Sequence, residues 1–96
     1  MTGRIKNLLI VAMEECSEII KACSKAIRFG LDTKFDDFDD NHKTEILIEY
    51  YQLQAIIERL QKDGAIPYFN EKRIKSIKKH KIEKVQKYYE QNKNRV

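Results

Sequence analysis

Only one proline interrupts this chain, and glycine occurs just three times in 96 residues. Turn chemistry is therefore scarce, and long helices joined by few connections are what such a sequence can build. Ile5, Leu8, Leu9, Ala12, Cys16, Ile19, Ile20, Cys23, Ala26 and Ile27 recur at spacings of three and four. This stripe predicts a first helix from about Arg4 to Phe29. Gly30 is its natural stop, because glycine tolerates the left-handed conformation that ends helices. Leu31 to Asn41 reads as a loop with at most one short turn, and Asp40 or Asn41 can cap the next helix. A second helix follows from about Lys43 to Lys62, ending near Gly64. A third runs from about Asn70 to Gln91, with Ile74, Ile77, Ile82, Val85 and Tyr88 or Tyr89 as its apolar side. Residues 92–96 should fray. The expectation is one all-α domain over 1–96: a bundle of two to three long antiparallel helices with a short connecting turn.

A chain of this length buries only roughly 60–65% of its unfolded surface, which makes self-association an attractive way to bury more. Leu8 to Met13 is too short for a signal peptide and runs into Glu14 and Glu15. No stretch of about 20 apolar residues could span a membrane, so a soluble, cytoplasmic protein is expected. Cys16 and Cys23 stand seven apart on one helix, roughly 10 Å along its axis. That is too far for a disulfide, and the spacing lacks the close pairing of a zinc site. Both read as small core residues.

Charge is unevenly spread. Residues 1–70 carry 9 basic and 12 acidic side chains, and residues 71–96 carry 10 and 3, within a net charge of +4. A basic end of this kind suits contact with phosphates. The acidic loop Asp36, Asp37, Asp39 and Asp40 lacks the glycine and closing glutamate of an EF-hand, so it reads as a solvated loop anchored by Phe35 and Phe38.

The acids on the helices are more informative. At about 100° per residue, Glu15 lies roughly 20° from Leu8, at the edge of the apolar stripe, and Glu18 shares its sector. On the second helix Glu49 lies among Ile56, Leu60 and Leu53, in the middle of the face that must pack, with Glu45 and Gln52 a turn to either side. A bare carboxylate in that position pairs, protonates or binds a cation. A buried ion pair with lysine or arginine is one solution, and a rotated helix that frees Glu49 to solvent is another. The third is convergence of the carboxylates on a hard cation with oxygen ligands. Mg²⁺ suits few carboxylates plus retained water and substrate phosphates.

Glu14-Glu15-Cys16-Ser17-Glu18 resembles the EExxE motif of the MazG-like, all-α nucleoside triphosphate pyrophosphohydrolases. Lys25-Ala26-Ile27-Arg28-Phe29-Gly30 resembles the SK..RFG ending of the first helix in small viral and phage-type members. Glu49-Tyr50-Tyr51-Gln52 stands where that family carries ExxD, and Lys81 to Tyr88 resembles its basic last helix. The resemblance implies Mg²⁺-dependent hydrolysis of a nucleoside triphosphate to the monophosphate and pyrophosphate, with Mn²⁺ as a possible substitute. It implies Glu15, Glu18, Glu49 and Gln52 as metal ligands, with Glu45 a candidate to supply missing charge. Glu14, about 100° from Glu15 on the wheel, is a candidate base or water-positioning group. Lys25, Arg28, Lys84, Lys87 and Tyr88 are candidate substrate contacts. A homodimer or homotetramer is implied, in a bacterium or a virus-infected cell. Gln52 in place of aspartate leaves three charges where the family has four. A module that binds nucleotide or protein without cleavage is the alternative. A nucleic-acid contact through the lysines with Tyr88 and Tyr89 is the weaker third, because the same residues serve equally as core and solvated face.

Overall fold

The computed structural model describes residues 1–93, and these form three helices. They are α1 (Gly3–Phe29), α2 (His42–Lys62) and α3 (Glu71–Asn92), with no strand among the described residues. The boundaries fall within about two residues of those read from periodicity. Each helix begins on a side-chain cap. Thr2 Oγ1 accepts from the Ile5 amide, Asn41 Oδ1 from Thr44 and Asn70 Oδ1 from Arg73. Each cap satisfies one of the amides that a helix start leaves unpaired. Gly30 and Gly64 take positive φ, 102° and 79°, where α1 and α2 end. Asn92 is still helical; the remainder of the expected frayed tail, from residue 94 on, lies outside the described residues.

The chain divides into two compact units, Met1–Ile66 and Pro67–Val96. In the first, α1 and α2 pack as an antiparallel hairpin. Arg4 near the start of α1 pairs with Asp63 after the end of α2 at 3.2 Å, and Lys25 near the end of α1 meets Glu45 in the first turn of α2 at 3.5 Å. Ile5, Leu8, Ala12, Glu15, Ile19, Ala22 and Ala26 are the buried or half-buried row of α1. On α2 the matching row is His42, Ile46, Glu49, Leu53, Ile56 and Leu60. Both alternate spacings of three and four, the seam of a two-helix coil. One glutamate stands in each seam, near its middle.

Among the described residues the fully buried core is small: Ala22, Leu60 and His42, all at 3% exposure or less. Between α1 and α2, the His42 and Lys43 amides donate to the Thr33 and Leu31 carbonyls, tying the acidic loop back to α2. Asp36 Oδ1 accepts from the Phe38 amide, and Phe38 is 99% exposed, so it does not anchor the loop as expected. Phe35 does, with its ring 5.3 Å from His42 and 5.7 Å from Phe29.

A second row on α1, Leu9, Met13, Cys16, Ile20, Cys23 and Ile27, has the same alternating spacing and lies largely open. Met13, Ile20 and Ile27 are 72%, 69% and 87% exposed. This corrects the core reading of the cysteines: Cys16 is exposed and Cys23 half-buried. Two adjacent seams on one helix resemble a single broad stripe in sequence, and only the inner one faces α2. In the second unit, Ile74, Ile77, Val85 and Tyr88 line one exposed side of α3 among its lysines. Among the described residues, no helix is long and apolar enough to cross a membrane.

Candidate cation site between α1 and α2

The two seam glutamates meet across the hairpin at the end of the Gln52 side chain. With its amide NH₂ turned toward them, Gln52 donates to Glu49 Oε2 at 2.9 Å and to Glu15 Oε2 at 3.2 Å. Gln52 itself is exposed, at the seam's edge, while Glu15 and Glu49 are half-buried. The sequence thus places an amide where it reaches two carboxylates from different helices.

Burial and crowding act on Glu49 together. Partial desolvation, then the charges of Glu15, Glu18 and Glu45, then a hydrogen bond with Glu15, raise its pKa above the ordinary carboxylate value. Each of these favours the neutral acid over the anion. No lysine or arginine neutralises it, as the ion-pair solution would require, among the described residues. Glu18 is about half exposed and pairs with Lys21 at 3.6 Å, one turn along its own helix. Glu45 pairs with Lys25 at 3.5 Å, and His42 Nδ1 lies 3.6 Å from its other oxygen, outside hydrogen-bond reach.

The remaining candidates of the first unit are placed less centrally, and those of α3 belong to the second unit. Glu14 is exposed and is not among the charges acting on Glu49. Lys25 is committed to Glu45 and lies 5.2 Å above the Phe35 ring. Arg28 covers the Phe29 ring at 5.1 Å and donates to the Ser24 carbonyl. Lys84 and Tyr88, one turn apart on α3, line a shallow hollow with Lys81 and Val85. Lys87 lies round the helix from them.

Sequence reasoning passed over His42. It is fully buried, yet neither ring nitrogen has a hydrogen-bond partner among the described residues. Its place in the α2 seam, one turn before Ile46, was the available signal. Its burial depends on Phe35 folding back from the loop, which periodicity does not record.

Among the described residues, no three His, Cys, Asp or Glu side chains are gathered tightly enough to hold a metal ion as they stand. The oxygens at the meeting point are nevertheless of the right kind. Two carboxylates, and a carboxamide when its oxygen rather than its NH₂ faces them, are hard donors, suited to Mg²⁺, which keeps several waters and takes few protein ligands. Glu18 and Glu45 supply further negative charge nearby. The donor chemistry fits the cation that the motif resemblance implies. No protein-family profile, curated protein or solved structure matches the chain.

Proposed function

We propose that this chain is a Mg²⁺-dependent nucleoside triphosphate pyrophosphohydrolase, producing a nucleoside monophosphate and pyrophosphate. The observation that carries the reading is the meeting of Glu15 and Glu49 within reach of one Gln52 amide, in the seams of a two-helix hairpin. Seam positions cost stability when they hold like charges. A divalent cation converts that cost into binding. The resemblance of Glu14–Glu18 and Glu49–Gln52 to the MazG-like motifs supplies the reaction.

In this reading Glu15 and Glu49 hold the ion from opposite helices, and Gln52 and Glu18 complete its surroundings. The bound ion supplies charge neutralisation at phosphate oxygens and an activated water. Lys25 keeps Glu45 beside the site as a fixed negative charge rather than a free ligand. The open row Leu9, Met13, Ile20 and Ile27 is the proposed surface on which a second copy completes the bundle. Nucleotide binding without turnover is the second reading, favoured by the neutral Gln52.

Pyrophosphate release from a panel of canonical and modified triphosphates, with Mg²⁺ or Mn²⁺, tests the proposal. Activity on at least one triphosphate is expected, falling by about 100-fold or more in Glu49→Gln and in Glu18→Gln. No pyrophosphate from any triphosphate would reject catalysis, and tight nucleotide binding in the same samples would establish the second reading.

A further inference from the structure

The helix α3 of the second unit carries eight lysines and arginines against three glutamates. All three acids are already engaged, Glu71 with Lys75 at 3.1 Å, Glu83 with Lys79 at 4.0 Å and Glu90 with Lys93 at 2.7 Å. Lys72, Arg73, Lys78, Lys81, Lys84 and Lys87 have no acidic partner among the described residues.

Their positions round the helix are sorted. At about 100° per residue, Arg73, Ser76, His80, Lys84, Lys87 and Gln91 fall in one sector about 80° wide, and no other α3 residue falls there. Each is exposed, and each carries a hydrogen-bond donor. The row holds no acid and no apolar side chain, and it runs about 27 Å along the helix. Ser76, His80 and Lys84 line one shallow hollow with Ile77 and Lys81. Lys72 and Lys81 stand roughly a quarter-turn to either side of the row, with Ile74, Val85 and Tyr89 on the far side. A face that meets only water gains by mixing lysines with glutamates one turn apart, whereas Lys81, Lys84 and Lys87 repel one another at that spacing. Phosphates facing them would offset the repulsion.

A row of donors with a cation on either side matches a groove that has acceptors on its floor and phosphates along both walls. The major groove of B-form DNA is such a groove, about 12 Å wide, and it admits an α-helix. The corresponding groove of A-form RNA is too narrow for side chains to read. A lipid surface fits less well. Lysine recurs at every third position from Lys72 to Lys87, which carries the ammonium groups round the helix and sets Lys78 and Lys81 among Ile74, Val85 and Tyr88. An interfacial helix keeps its cations to the polar side.

We propose that α3 binds duplex DNA, laying the row from Arg73 to Gln91 in the major groove with Lys72 and Lys81 against the phosphates of the two walls. This surface belongs to α3 alone and rests on neither the cation site nor the hydrolase reading.

Fluorescence anisotropy of the full chain with a labelled DNA duplex of about 20 base pairs tests it, at salt from about 50 to 200 mM. With Lys72, Arg73, Lys81, Lys84 and Lys87 engaged, log Kd should rise with log salt at a slope of about 3–5. Lys84→Gln/Lys87→Gln should weaken binding at least about tenfold and lower that slope by about 2. Lys75→Gln/Lys78→Gln removes the same charge from the far side and should change affinity by less than about threefold. Lys84→Arg/Lys87→Arg should bind as the wild type does, and circular dichroism should show equal helix content in all variants. Equal losses in the two glutamine variants would overturn the proposal, because attraction to diffuse positive charge would then suffice. Absence of binding at the lowest salt would overturn it too. So would tighter binding to duplex RNA, to single-stranded DNA or to vesicles of phosphatidylserine and phosphatidylcholine.

Discussion

At Glu49, partial burial and the neighbouring charges of Glu15, Glu18 and Glu45 all favour the protonated acid. The folded chain therefore holds this proton more tightly than the unfolded chain does. Protonation stabilises the fold, and that contribution is lost as pH rises through the raised pKa. Ion-free protein should become more stable on acidification from neutral pH, between the raised value and the unfolded carboxylate value of about 4.3. Chemical denaturation across this range with EDTA checks it. Glu49→Gln should flatten the dependence without lowering stability at pH 7.5, whereas an unchanged slope would place the effect on another group. This residue was legible in the sequence because a carboxylate among Leu53, Ile56 and Leu60 conflicts with its surroundings. His42 was not legible, since the loop that buries it has no period, and its burial rests on Phe35 reaching back across the helix start.

For the helices, apolar spacing, the stops at Gly30 and Gly64 and a cap candidate before α2 were enough to locate α1, α2 and α3, whereas the caps at Thr2 and Asn70 emerged only in the structure. What spacing left ambiguous was which face of α1 is covered. Ile5, Leu8 and Ile19 lie against α2, while Met13, Ile20 and Ile27 lie open, and both rows share one apolar repeat. The hairpin consequently depends on very few packed side chains. Leu60 is 1% exposed, and Leu60→Ala should cost about 2–5 kcal/mol. In a domain with this little core, that loss should unfold much of the population at 25 °C, measured by circular dichroism during urea titration. A cost under about 1 kcal/mol would mean that the hairpin's stability lies elsewhere.

For the molecule as a whole, the open row on α1 and the exposed apolar side of α3 are more apolar surface than a small chain normally leaves uncovered. The proposed second copy on the α1 row makes a direct prediction. Sedimentation should find a dimer or larger assembly, and Ile20→Glu should shift it toward monomer with α-helical content retained in the residual folded fraction. A wild-type monomer at high micromolar concentration would contradict that assignment. Under the proposed function, Glu15, Glu18, Glu49 and Gln52 of the hairpin surround one divalent cation. Paramagnetic broadening by substoichiometric Mn²⁺ tests it most directly, because the effect falls off steeply with distance from the ion. Amides around residues 15, 18, 49 and 52 should broaden first and recover when excess Mg²⁺ is added. Broadening centred on the Asp36–Asp40 loop, with the hairpin seam untouched, would contradict it.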